Sequence, residues 1–232
     1  DWLQRYQVPA MAVPVMHAEQ LPFNLPDAAL LQAIVFTSRH AVQALTDLSR
    51  HMSLRSLPVY AVGRSTALAA RTAGFEQVTS GPGDGKGLLT LMTADLRQEA
   101  GKILWPRATV ISFDIANHLA EFGFSVQQIP VYVMTPMASH SADLLARLTA
   151  CSSAAVVAMS ARSMALFSQM LDNQEFAEKR KIITVIAGSA PIAASAGSGW
   201  ANIIVAKVPR RSRILALATF VHRQRGILRR AL

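Results

Sequence analysis

A single cysteine, Cys151, in 232 residues excludes an intramolecular disulfide and any multi-cysteine metal or iron–sulfur site, and fits a reducing cytoplasmic location. Charge is scarce too. Only 16% of residues are charged against 51% hydrophobic, which is too apolar for a disordered chain and suits strands buried on both faces. The opening Asp1-Trp2-Leu3-Gln4-Arg5 lacks a basic start followed by an apolar run, so no secretory signal is read there. The uncharged stretch Ile182 to Ala206 is long enough for a bilayer, but Gly188, Pro191, Gly197, Gly199 and Asn202 interrupt it, and it reads as strand, helix, strand with no membrane partner.

Several chemistries are missing as well. The histidines His17, His40, His51, His118, His140 and His222 have no metal-ligand spacing, so each reads as solvated or capping and no metal is expected. No Gly-x-Ser-x-Gly follows a strand. Gly81-Pro82-Gly83-Asp84-Gly85-Lys86-Gly87 has Ser80 where a phosphate loop needs its first glycine and Gly87 where Ser or Thr should follow the lysine. It reads as a turn with Asp84 capping the next helix. Gly63 has no later glycine at dinucleotide-fingerprint spacing. The net charge of +9 invites a nucleic-acid reading, yet residues 179–232 carry 11 basic and no acidic side chains, leaving 12 basic and 14 acidic in the near-neutral body. Basic charge gathered at one end fits a solvated helix face and tail, and no nucleic-acid partner is expected.

What is present is alternation. Short apolar runs such as Ala33-Ile34-Val35-Phe36 and Val59-Tyr60-Ala61-Val62 precede helical patterns at His40 to Ser49 and Ser65 to Ala73, the mark of an α/β chain. Further strands are expected at Val8–Val13, Gln77–Thr79, Lys102–Trp105, Val126–Ile129, Ala154–Met159, Ile182–Ile186 and Asn202–Val205. Helices are expected at Gly87–Gln98, Phe113–Phe122, Ala161–Leu171, Pro191–Ala196 and Ser212–Arg223.

The chain also repeats itself. Ala33-Ile34-Val35-Phe36-Thr37-Ser38-Arg39-His40 matches Ala155-Val156-Val157-Ala158-Met159-Ser160-Ala161-Arg162, and Tyr60-Ala61-Val62-Gly63-Arg64-Ser65 answers Val185-Ile186-Ala187-Gly188-Ser189. Ile129-Pro130-Val131-Tyr132 echoes Val13-Pro14-Val15-Met16. The repeat predicts two lobes, a continuous one over residues 21–130 and a discontinuous one combining 1–17 with 136–232. Linkers at about 15–20 and 131–137 run side by side as a hinge.

Ligands of parallel α/β sheets collect beyond the carboxyl ends of the strands, at helix N-termini with free N–H groups. Here those positions read Thr37-Ser38, Gly63-Arg64-Ser65-Thr66, Ser160 and Gly188-Ser189. Such loops suit carboxylates or phosphates, although helix capping alone also favours Ser and Thr. Arg107, after Ile103-Leu104-Trp105, is a candidate cation or a solvated loop arginine. Tyr132, in a linker, is a site residue or a packing tyrosine.

Ile34-Val35-Phe36-Thr37-Ser38-Arg39-His40-Ala41-Val42, Tyr60-Ala61-Val62-Gly63-Arg64-Ser65-Thr66-Ala67 with Gly74-Phe75, Trp105-Pro106-Arg107 and Ile129-Pro130-Val131-Tyr132 together resemble the uroporphyrinogen-III synthase family over nearly the whole chain. The resemblance implies two flavodoxin-like lobes with parallel sheets joined by a two-stranded linker. It further implies a cofactor-free lyase reaction that cyclises hydroxymethylbilane, with loss of water and inversion of the last pyrrole ring, in a monomeric enzyme. By the same resemblance Tyr132 is the catalytic proton donor. Thr37, Ser38, Gly63, Ser65, Thr66, Arg107, Ser160, Gly188 and Ser189 bind the substrate's carboxylates. The alternative is a non-catalytic two-lobed module that binds a polyanionic small molecule.

Two departures stand out. Gly188-Ser189-Ala190-Pro191 stands where the family often shows a glycine followed by adjacent threonines. The family's opening strand has no counterpart, and the repeat places it between Val8–Val13 and Ala154–Met159. The expectation is a fragment of a longer protein, or a lobe that closes the gap by pairing those two segments directly.

Overall fold

The computed structural model describes residues 5–46, 52–137, 142–172, 174–208 and 210–230. His51, His140 and the end of the helix expected over His40 to Ser49 lie outside them. The fold is mixed α/β with parallel sheets, in two compact units: Ala18–Thr135, and Asp1–His17 with Pro136–Leu232.

The Ala18–Thr135 unit is built on strands β1 (Met16–Gln20), β2 (Leu31–Phe36), β3 (Val59–Ala61), β4 (Val78–Ser80), β5 (Lys102–Ala108) and β6 (Val126–Pro136), in the order β1-β6-β5-β2-β3-β4. Its helices are α1 (Arg39–Ala44), α2 (Arg64–Thr72), α3 (Gly85–Asp95) and α4 (Ile115–Glu121). β2 is parallel to both neighbours, with Ile34 opposite Val59 on one side and Leu104 on the other. Side chains alternate across a strand, so Ile34, Phe36 and Leu104 join one apolar layer with Val42, Leu45 and Phe75. Ala33, Val35, Ile103 and Trp105 join the opposite layer with Leu88, Met92, Ile115 and Leu119. A strand with both faces covered needs an unbroken apolar run, which is what Ala33-Ile34-Val35-Phe36 supplies.

The expected linkers turn out to be strand. β6 runs on past Ile129 to Pro136. The N–H of Leu21 donates to Val131 O at 3.0 Å, and that of Met137 to Val15 O at 3.0 Å. One number rises as its partner falls, so β1 lies antiparallel to β6 and the sheet is parallel with one antiparallel edge strand. Tying these segments together, Thr135 Oγ1 donates to Glu19 Oε2 at 3.0 Å. The extended crossovers thus satisfy each other's backbone instead of leaving it to water.

The other unit carries the parallel strands β7 (Ala154–Ala158), β8 (Ile183–Ala187) and β9 (Asn202–Val205), in that order. Its helices are α5 (Ala142–Ala150), α6 (Ala161–Met170), α7 (Gln174–Arg180), α8 (Ala190–Ala194) and α9 (Arg211–Arg230). Arg180 fastens it: the guanidinium donates to the Ser168 carbonyl and hydroxyl and to Ser198 O, pairs with Asp172 at 2.7 Å and lies 4.9 Å over the Trp200 ring.

One expected element is not a strand. Val8–Val13 carries no sheet hydrogen bonds, and it does not pair with β7. Its burial alternates from Met11 to Val15 as an extended chain's should. Among the described residues it has no neighbour to complete a ladder, without which an apolar alternating run stays irregular.

Candidate functional site

In the Ala18–Thr135 unit the carboxyl ends of β2, β3 and β4 feed α1, α2 and α3, and each junction has its own capping chemistry. Ser38 caps α1, its Oγ accepting the His40 N–H at 3.1 Å. Asp84 caps α3 by accepting the Gly87 N–H at 2.8 Å, the role read for it from sequence. At α2 the cap is Gly63, with no side chain to contribute. The reason is space: a Cβ there would sit 3.1 Å from Gly83 Cα, and one at Gly81 would meet the Val62 and Ala61 carbonyl oxygens at 3.0 and 3.1 Å. Hydrogen bonds from Gly81 N–H to Ala61 O (2.7 Å) and Gly83 N–H to Val62 O (2.8 Å) lace the two loops together. The glycines set close backbone approach at the rim, not a phosphate loop.

Two hydroxyls at this rim are held as donors. Thr37 Oγ1 accepts the indole N–H of buried Trp105 at 3.3 Å, and Ser38 Oγ accepts a backbone N–H. An oxygen already accepting keeps its own proton for another partner, which suits an anion. Ser65 is exposed beside them. Thr66 is not: only 4% of its surface is accessible, because the third position of α2 turns into the core.

Arg107 is placed differently from its sequence reading. It lies within β5 and not in a loop after it. Its Nε donates to Gln128 Oε1 at 2.9 Å, its Nη1 to Ala108 O at 2.7 Å, and it lies 5.8 Å from the Trp105 ring centroid. Pro106 sits in the same strand because β5 continues along β6 through Ala108 opposite Tyr132.

Tyr132 is buried, 7% exposed, among Phe36, Leu104 and Val131. Its hydroxyl has no hydrogen-bond partner among the described residues and is not one of the sealed, unsatisfied polar atoms. The ring is therefore fixed in the core while the phenol touches solvent. His40 lies against it, ring centroids 5.6 Å apart at 49°. From sequence His40 reads only as solvated or capping; the signal for more is its place three residues after Thr37, on the first turn of a rim helix. The contrast with Tyr60 is instructive. That phenol donates to Asp95 at 3.3 Å, and burial first, then the Asp95 carboxylate, push its pKa up to about 12. Tyr60 is a fixed structural donor; Tyr132 is the one with a hydroxyl to offer.

In the other unit, Ser160 caps α6 and accepts the Ser163 N–H at 3.3 Å, so it too retains a proton to donate. Gly188 follows β8 and is buried, with a would-be Cβ 3.1 Å from Ile214. Ser189 caps α8 without a side-chain bond to it. Among the described residues no group of His, Cys, Asp and Glu could hold a metal ion, and no helix is long and apolar enough to cross a membrane.

A family model described as uroporphyrinogen-III synthase HemD matches residues 3–216. No curated protein matches the chain significantly. Among solved structures, the chain is similar to the uroporphyrinogen-III synthetase of Helicobacter pylori, with a TM-score of 0.64 and 21% identity over 89% of this chain and 91% of that one. A mutant uroporphyrinogen III synthase of the extremely thermophilic bacterium Thermus thermophilus matches with a TM-score of 0.50 and 19% identity, over 96% of this chain and 93% of that one.

Proposed function

Since the chain belongs to the uroporphyrinogen-III synthase family and to haem biosynthesis, we propose that it acts as a lyase on hydroxymethylbilane, with Tyr132 as the proton donor. The observation that carries this reading is the Tyr132 phenol: ring buried, hydroxyl bonded to no described residue and in contact with solvent, at the rim of a parallel sheet. The substrate is a linear tetrapyrrole with carboxylates along its edge. Departure of its terminal hydroxyl breaks a carbon–oxygen bond, and the proton from Tyr132 completes the water that leaves. The substituted carbon of the last ring bonds to the azafulvenium carbon so formed; the spiro intermediate breaks that ring's original bond to the neighbouring methylene and recloses at the ring's free carbon with the ring inverted, and the proton released there returns to the Tyr132 phenolate. One water is lost, and no electrons leave the system.

For such a reaction the protein has to hold the substrate's shape and place one proton. The Thr37 and Ser38 hydroxyls, the exposed Ser65, the backbone at Gly63 and the Arg107 guanidinium make a rim complementary to carboxylates. Ser160, Gly188 and Ser189 form a second set of the same chemistry. Numbered in chain order, the parallel strands β6-β5-β2-β3-β4 of the Ala18–Thr135 unit lie 5-4-1-2-3, a circular permutation of the order 2-1-3-4-5, and that relation supports flavodoxin-like lobes. The paired segments β1 and β6 serve as the linker between them. A monomer in the cytoplasm without nucleic-acid partners completes the reading, supported by the near-neutral body and the lone cysteine.

Incubation with hydroxymethylbilane is expected to give the type III isomer in place of the type I product of spontaneous closure, resolved by chromatography. Type I alone, at the uncatalysed rate and from folded protein, would leave only a polyanion-binding module. Arg107→Ala and Ser65→Ala are each expected to weaken binding of the polycarboxylate product. The arginine effect should shrink as salt rises, because exposed charges are screened over about 10 Å at 0.1 M. A salt-independent loss would assign Arg107 to the β5–β6 contact it makes with Gln128.

A further inference from the structure

Residues 207–230 carry eight lysine and arginine side chains and no acidic one. From sequence they read as a solvated face and tail, but in the structure residues 211–230 are one continuous helix, α9. Ile214 and Ala218 are buried with Ile186 of β8, and Leu217, Val221 and Val157 of β7 pack beside them. The apolar side of α9 is therefore covered by the sheet, and its cations are left on the outside.

Residues three and four apart share a helix face. Arg213, Ala216, Phe220 and Arg223 thus form one row, and its three large members are exposed. Arg211 is exposed as well, as are Lys207 and Arg210 ahead of the helix. Apolar groups stand among these cations: Phe220 is 57% exposed and Val208 43%. Arg223 is braced by Tyr6, its guanidinium 5.7 Å from the ring centroid. Among the described residues no carboxylate pairs with Lys207, Arg210, Arg211, Arg213 or Arg223.

The helix itself gains nothing from this charge. Arg211 and Arg213 lie in its first turn, where the macrodipole is positive and favours acidic side chains, and that turn has none. Cations held against the macrodipole call for an anion from outside. A nucleic-acid backbone would satisfy the charge and leave Phe220 and Val208 in water. An anionic bilayer surface satisfies both, because headgroups take the arginines while apolar side chains enter the acyl boundary. We propose that the outer face of α9, with Lys207, Val208 and Arg210, docks on an anionic lipid surface. Arg213 and Arg223 meet the headgroups, and Phe220 is the apolar anchor between them. The contact lies on the surface of the bilayer; among the described residues no helix is long and apolar enough to cross one. It does not depend on the catalytic reading.

Co-sedimentation with vesicles tests it, comparing phosphatidylcholine alone with an equal mixture of phosphatidylcholine and phosphatidylglycerol. The protein is expected to bind the mixed vesicles and not phosphatidylcholine alone. Binding should weaken as salt rises, since screening shortens to about 3 Å at 1 M. A cation near such a surface contributes about fivefold in affinity, so Arg213→Gln combined with Arg223→Gln should weaken binding about 25-fold. Phe220→Ser should weaken it about fivefold by removing the apolar anchor, whereas Phe220→Trp should not, because tryptophan favours the interface. All three positions are exposed, so the contacts of α9 with the sheet are untouched. No binding to the mixed vesicles at low salt would overturn the proposal. So would binding that falls with the arginine changes but ignores Phe220→Ser, or a duplex oligonucleotide bound more tightly than the vesicles, since either would give the face to a polyanion without a bilayer.

Discussion

Tyr132→Phe is expected to slow turnover about 100-fold while leaving substrate affinity nearly unchanged, the low end of the range for losing a general acid. The ring is held among Phe36, Leu104 and Val131 and against His40, and phenylalanine keeps all of that packing. The hydroxyl bonds to no described residue, so removing it leaves no buried partner unsatisfied and the fold should not register the change. The expected signature is thus a lower kcat with an unaltered melting curve, because the proton is needed only as the hydroxyl departs. Water can replace a phenol that touches solvent, which is why the low end is expected. His40→Leu separates positioning from proton donation: it keeps bulk against the ring and should cost much less than Tyr132→Phe. Equal kcat for Tyr132→Phe and the parent would make Tyr132 a packing residue and move the acid elsewhere.

How far the sequence carried this reading follows from what each residue's surroundings require. β2, β3 and β8 were legible because a strand buried on both faces must be a short apolar run, and Ala33 to Phe36, Val59 to Ala61 and Ile183 to Ala187 are such runs. The caps Ser38, Asp84 and Ser160 were legible because free N–H groups at a helix start call for a short polar side chain. The full length of β6 was not, since Pro130 and Pro136 read as loop. Pro130 is tolerated at the register shift where β6 leaves β5, and Pro136 as the last residue of the strand. The placement of Arg107 within β5 was hidden for the same reason, by Pro106 beside it. α5 and α7 were missed because their neighbours in sequence are polar and short. Their buried faces, Leu144 with Leu148 and Phe176, become apparent only against the core they cover. His40 was missed because nothing local distinguishes a solvated histidine from one whose ring meets a tyrosine about ninety residues away.

Trp105→Ala is expected to destabilise the Ala18–Thr135 unit by about 3–5 kcal/mol, the usual cost of truncating a buried tryptophan. Against a total stability of about 5–15 kcal/mol that loss is large enough to leave part of the protein unfolded at physiological temperature. Trp105 is fully buried in the central strand β5, packed in the layer with Leu88, Met92 and Ile115. Its indole N–H also holds Thr37, and its ring lies near the Arg107 guanidinium. One side chain thus joins the core to two residues of the rim. Trp105→Phe separates the two roles, since it keeps an aromatic ring in the layer but deletes the N–H. The phenylalanine variant should lose less stability than the alanine one. It should still bind the polycarboxylate product more weakly, because Thr37 is no longer oriented by an incoming donor. Denaturant unfolding followed by exchange at the β2 and β5 amides reports on this unit alone, which matters where two units need not melt together. If Trp105→Ala unfolded within about 1 kcal/mol of the parent, well below the usual range, β5 could not be the centre of the sheet. If Trp105→Phe bound product as tightly as the parent, the orientation of Thr37 would play no part in the rim.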